Sequence, residues 1–350
     1  MKHHQSQRSL NKWIYPALVA TVLITWVIYM TAAQRWGLFQ EYWGLSVTML
    51  FGSIIAGATP QGGAAVAFPV FTKVFHLPAP DARPFGLMIQ SVGMTMAAIT
   101  ILLRRVHIMP RVLLWVSAGG ALGMTLGTYV IKIPAPYPKI LFTLSLVVFA
   151  AALIISRWVI KWEPRTSLPK WTPAQMVVFV IVGIVGGIFA SYTGAGADAL
   201  TFVVLTLTFG INEKISTPTT VIIMAINSLV GFFLHGVVSQ DIGVAWNYWL
   251  VCVPIVIMGA PLGAFILSKI QRDTLIVTVL LLIFAEAAST VILIPFTSTM
   301  WLVTISFMMV SGLCFLMMLH YRHNHLDDEE QVEHLVSAIH AELQPQKVKI

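Results

Sequence analysis

Two short runs of small and polar residues interrupt long apolar stretches of this chain: Thr59-Pro60-Gln61-Gly62-Gly63 and Thr193-Gly194-Ala195-Gly196-Ala197-Asp198. The chemistry open to such runs is that of hydrogen-bond donors. Glycine and alanine let a ligand come close to the backbone. A helix start leaves its first N–H groups without intrahelical acceptors and carries about half a positive charge, which suits an anion. Helical arms opening at Gly62 and Gly194 would offer the amides of Gly63, Ala195 and Gly196, with Thr59, Gln61 and Thr193 adding side-chain donors. For one such run alone, tight helix packing by small residues is the plainer reading. Two runs at matching places in two halves point to a binding site shared between them.

Other polar groups follow each run. Gln90 and Ser91 lie in the first half, and Thr219, Thr220, Asn227 and Ser228 in the second. Polar side chains at membrane depth need partners, and hydrogen bonds between helices account for some of these. Gln90 and Asn227 are expected to face the runs, because an amide can donate to a sulfo or carboxy oxygen. Asp198 and Glu286 are acids in apolar surroundings, where a carboxylate is costly unless protonated, paired or used. Proton coupling at either competes with a structural hydrogen bond. At Asp198 the carboxyl has to be neutral while an anion is bound beside it. His107 and His235 read as interfacial.

What must position these groups is a set of membrane helices. Hydrophobic residues make up 57% of the chain and charged ones 10%, with a mean hydropathy of +0.84. That excludes a soluble globular protein and predicts an all-α polytopic membrane protein in contact with lipid. Spans are expected near 14–33, 84–103, 112–131, 140–160, 216–235, 246–268, 274–294 and 300–320, with interrupted segments at 44–76 and 174–210. Tryptophans such as Trp13, Trp36, Trp158, Trp171 and Trp246 mark many of the ends. The net charge of +7 is what basic cytoplasmic loops produce, so no nucleic-acid partner is expected. Cys252 and Cys314 both fall inside spans, which leaves no disulfide framework or zinc pattern, and no cofactor is expected. The stretch 13–33 is long for a signal peptide and reads as an uncleaved first span. The tail from Arg322 predicts a short amphipathic surface helix over Val332 to Leu343.

Charge sets the topology. If each interrupted segment is a hairpin returning to its own side, thirteen Lys and Arg fall in the inner loops and five (Arg35, Lys73, Arg83, Lys132 and Lys139) outside. Single crossings would split them ten against eight, so the positive-inside bias favours hairpins with both termini cytoplasmic. A hairpin plus three full spans is an odd number of crossings, which inverts the second module relative to the first. The fold expected is therefore two inverted repeats, each a broken or re-entrant hairpin plus three transmembrane helices, with an extra helix at each end. Its parts are residues 1–43, a first repeat 44–161, a second 174–295, a last helix 296–321 and a tail 322–350. Each hairpin arm is expected to hold about 13 to 18 residues, roughly 20–27 Å, which does not decide between re-entry and full crossing. Arg83-Pro84 answers Thr217-Pro218 in the repeat, and Gly120-Ala121-Leu122-Gly123 answers Gly259-Ala260-Pro261-Leu262-Gly263.

The pattern Gly57…Gly62-Gly63…Pro69, and the run Gly183…Gly186-Gly187…Thr193-Gly194-Ala195-Gly196…Lys214…Thr219-Thr220…Asn227-Ser228…Gly231…His235-Gly236, resemble the TauE/SafE family of membrane transporters over roughly 44 to 294. Gly259 to Gly263 is also similar to that family's pattern. The resemblance implies a carrier of sulfite, organosulfonates or other small anions, with an anion site at the two tips. The first run has fewer glycines than the family often shows, and Asp198 stands where a small residue is common. The expected function is export of a small sulfur-containing oxyanion across a bacterial inner membrane, by alternating access around a midplane site. Movement of another small organic anion, in either direction, is the alternative. An intramembrane enzyme is a remote one: no His-Glu-x-x-His or Gly-x-Ser-Gly occurs, and Gly196-Ala197-Asp198 misses a Gly-Asp aspartyl motif by one position. Oligomeric state stays open, a homo-oligomer included.

Overall fold

In hydrocarbon a backbone must pair its own polar groups, and a helix does so within one segment. The computed structural model describes residues 2–59, 70–75, 77–134, 136–155, 158, 165–168, 171–267, 269 and 271–322. Among them every regular element is helical: α1 (Lys2–Ala32), α2 (Leu38–Ala58), α3 (Ala79–Leu103), α4 (Pro110–Tyr129), α5 (Tyr137–Ile154), α6 (Pro173–Thr193), α7 (Ala197–Val203), α8 (Glu213–Phe233), α9 (Ala245–Leu267), α10 (Arg272–Leu293) and α11 (Ser298–Arg322). Single π-helical turns at Val204–Thr208 and Leu234–Ser239 prolong α7 and α8, and another lies at Val70–Val74. Nine helices among the described residues are long and apolar enough to cross a membrane. The protein is a multi-pass membrane protein. Residues 60–69, which carry most of the first run, and the expected tail helix lie outside the described residues.

Local signals place the helix ends that matter. Pro173 opens α6 behind a capping box in which Thr172 Oγ1 accepts from Gln175 N–H and Gln175 Oε1 accepts from Thr172 N–H. Gly194 closes it at φ +81°, a left-handed conformation that glycine adopts without strain. Asn212 caps α8 by accepting from Lys214 N–H at 2.9 Å.

The described arms do not all keep to the expected 13 to 18 residues. α2 holds 21 residues but is kinked at Tyr42 (φ −116°, ψ 24°), which leaves a 16-residue arm over 43–58, within the expected range; α6 holds 21, long enough for a ~30 Å core, whereas α7 holds 7 and its π turn 5. Apolar Gly-Ala-Ile sequence gives a helix no reason to stop, so the first arms run on until Thr59 and Gly194. Leu38 to Glu41 form a lead-in turn before the kink at Tyr42, and the arm itself begins at Trp43, beside the expected 44.

The most extensive packing pairs α6 with α4 and α2 with α9. Small residues make it possible. A Cβ on Gly187 would meet Gly120 O, and one on Gly123 would meet Ile184 O. In the same way a Cβ on Gly57 would meet Ala260 O, and one on Gly263 would meet Ile54 O. These are the same contact made twice. Ile184 and Gly187 follow Ile54 and Gly57 by 130 positions, while Ala260 and Gly263 follow Gly120 and Gly123 by 140. Registered this way, α2 ends one residue after its glycine and α6 six residues after. α3 packs against both α8 and α9, and α5 pairs with α10.

Both interrupted segments return to where they entered. Arg165 N–H donates to Gly210 O and Asn212 N–H to Arg165 O, both at 2.9 Å, so the chain before α6 lies beside the chain after α7. Phe75 lies against Gly44, which joins the start of α2 to the chain before α3. Arg111 stacks on Trp171 and Arg322 lies against Gly210, which gathers the basic loops at the end where α6 starts. Arg35 with Asn247, and Tyr129 with Ser239, lie at the opposite end.

Candidate functional site

The second tip is built on α6. Tyr192 Oη donates to Ile131 O in the loop after α4, and accepts from Ile133 N–H at 3.1 Å. The tip therefore lies toward the end opposite the basic loops instead of halfway through. Thr193 is buried, and its hydroxyl is engaged locally, on Ala195 O at 2.7 Å and Phe189 O at 3.1 Å. Gly196 N–H donates to Asp198 Oδ1 at 2.7 Å. The carboxyl of Asp198 thus occupies an amide at the start of α7 that the sequence offered to an anion. Its Oδ2 is buried and has no partner among the described residues. Gly196 and Ala197 press on Gly186, which holds this turn against α6.

α3 and α8 supply the facing side. Gly86 packs against Gly194, with 3.9 Å from its Cβ position to the Gly194 Cα, and Gln90 Nε2 lies 3.7 Å from where a Cβ on Gly194 would be. Ser228 Oγ donates to Gln90 Oε1 at 3.1 Å, which leaves Nε2 buried and without a partner among the described residues. One residue earlier, Asn227 sits against Gly120, midway along α4, with both amide atoms buried and unpartnered. Buried polar groups normally find partners, so these three amide atoms, without one among the described residues, are the candidate ligand contacts of the site.

The remaining expected residues fall elsewhere. Ser91 donates to Met88 O, Thr220 to Thr217 O and Thr219 to Ile215 O, each satisfied within its own helix. Thr219 also accepts from Met109 N–H, which ties the α3–α4 loop to α8. Thr59 Oγ1 is buried without a partner at the end of α2. Gln61, Gly62 and Gly63 lie outside the described residues. Glu286 belongs to the α5–α10 contact, where Oε1 accepts from Thr143 at 2.9 Å and Thr290 at 3.2 Å. The two acids therefore serve separate places. No cluster of His, Cys, Asp and Glu that could hold a metal ion occurs among the described residues. A cavity of about 70 Å³, lined by Phe142, Phe149, Phe189, Leu200 and Phe307, opens beside Ala195 and Gly196.

Sequence reasoning passed over Arg83 and Tyr192 and treated His235 as interfacial. Arg83 lies over the Tyr192 ring, and His235, 2% exposed, pairs with Asp241. The seven-residue spacing of Arg83 and Gln90 on one helix was the available signal.

Residues 45–290, well over half of the chain, match the family model described as Sulfite exporter TauE/SafE. No curated protein and no solved structure matches the chain.

Proposed function

Because the chain belongs to the sulfite exporter TauE/SafE family, we propose that it exports a small sulfur-containing oxyanion, sulfite or a short organosulfonate. It works by alternating access around the polar line from Gly194 through Gln90 and Ser228 to Asn227. It resides in a bacterial inner membrane with both termini cytoplasmic, its two modules are inverted, and it performs no catalysis. The reading is carried by the buried Gln90 Nε2, a donor without a partner among the described residues, set against the Gly194 turn. A buried amide donor is satisfied by an anion and strengthened by the low dielectric around it. Asp198 beside that site must be neutral when the anion is present, which makes it the proton-coupling candidate; Glu286, satisfied by two threonines, is the second.

The aromatic cavity beside Ala195 and Gly196 favours a second version, in which the anion carries a short apolar tail and is a sulfonate or carboxylate. Flux of sulfite, sulfoacetate, taurine and acetate into proteoliposomes holding the full-length protein separates the two. Sulfite moving fastest supports the first, and sulfoacetate or acetate outrunning sulfite supports the second. If none of the four moves above empty liposomes, the substrate class is wrong.

A further inference from the structure

Past Gly194 the polar line continues outward to side chains that the transport reading leaves unused. Arg83 stands on α3 three residues before Gly86 and seven before Gln90, so the three share a face, with Arg83 about 10 Å from Gln90 along the axis. Its guanidinium lies 4.8 Å over the ring of Tyr192, two residues before Gly194. Nη2 donates one long hydrogen bond, 3.4 Å to Thr128 Oγ1, and Nε is buried without a partner among the described residues. His235 lies within electrostatic reach of Arg83. Its Nδ1 is 2.8 Å from Asp241 Oδ1, and its Nε2 is buried and unpartnered. Asp241, 53% exposed, is also within reach of Arg83 and offsets part of its charge.

Burying the guanidinium Nε–H of Arg83 without an acceptor is costly, and an oxyanion supplies the missing acceptor in the fork geometry a guanidinium presents. Tyr192 fixes the guanidinium from below and is itself tied to the α4–α5 loop. Arg83, the Gly194 turn and Gln90 therefore form a continuous file from the rim to the buried donors.

We infer that Arg83, with Tyr192 beneath it and His235 beside it, forms an anion-binding mouth at the end opposite the basic loops, two helical turns outside Gln90. A small oxyanion binds there between solvent and the buried site. The inference takes the identity of the anion from the transport reading, but binding at Arg83 is tested without transport.

The test is calorimetric titration of sulfite and methanesulfonate into the full-length protein in nanodiscs, beside flux in proteoliposomes. Arg83→Gln is expected to weaken binding and raise KM by about tenfold, with maximal flux within about twofold of wild type. Arg83→Lys keeps the charge without the fork and is expected to lose about threefold. Arg35→Gln, an exposed arginine at the same end, is expected to change neither. Unchanged affinity and KM in Arg83→Gln overturn the mouth. If that variant does not fold, Arg83→Lys and His235→Ala carry the test, and wild-type values in both overturn it. Wild-type binding that Arg83→Gln lowers, with no flux of any anion, keeps the mouth and sinks the transport reading. No binding to the wild type sinks both.

Discussion

Asp198 is the residue on which the character of the second tip turns. Its Oδ1 accepts from Gly196 N–H at 2.7 Å, so from inside α7 it holds the amide of the N-cap residue Gly196. An asparagine retains a carbonyl oxygen in that place, whereas alanine leaves the amide buried and bare. Asp198→Asn is therefore expected to keep the thermal stability of the purified protein, and Asp198→Ala to lose about 1 kcal/mol of it. The two variants also address coupling. If this carboxyl exchanges a proton during transport, Asp198→Asn abolishes the dependence of flux on a pH gradient; an unaltered dependence retires the idea. The hold of the carboxyl on this amide was not legible in Gly196-Ala197-Asp198. Spacing places an acid near a helix start, but only side-chain geometry tells whether it takes the amide or leaves it to a ligand. Gln90 and Asn227 were legible as long amides in apolar surroundings. Ser91, Thr219 and Thr220 were not separable from them, since hydroxyls satisfy themselves on their own helix.

At the scale of elements, the α2–α9 and α4–α6 contacts decide whether the scaffold holds. A Cβ on Gly187 would fall on Gly120 O and 2.8 Å from Met124 N, backbone that cannot move aside. Gly187→Ala and Gly57→Ala are each expected to cost about 1–3 kcal/mol, seen as a lower melting temperature in detergent, while Gly312→Ala, with open space around it, is neutral. Gains at all three positions would mean that helix propensity, which favours alanine over glycine, governs the effect and contact does not. The glycine pairs were visible as a repeat in sequence, but their register was not. Small residues are frequent enough in α2, α4, α6 and α9 that several offsets fit, and only the carbonyl each glycine touches selects 130 and 140. Arm length was hidden for a related reason, because nothing in Gly-Ile-Val sequence announces a helix end before Gly194.

For the whole molecule, the distribution of charge was legible and the depth of the tip was not. Arg111, Arg165 and Arg322 meet Trp171 and Gly210 at one end, as hairpins returning to their own side require. With Cys252 and Cys314 replaced by serine, Lys214→Cys is expected to react with an impermeant maleimide only from the cytoplasmic side and Lys132→Cys only from outside. Labelling of both from one side would refute the topology. Depth follows from where Tyr192 lands, on Ile131 and Ile133, which no spacing rule reports. The central claim is that an anion accepts from the orphaned Nε2 of Gln90 and Nδ2 of Asn227. Its most direct test is sulfite flux in proteoliposomes containing wild type, Gln90→Ala or Asn227→Ala at equal incorporation. The account predicts a loss of about tenfold or more in each variant; flux at the wild-type rate in both would contradict it.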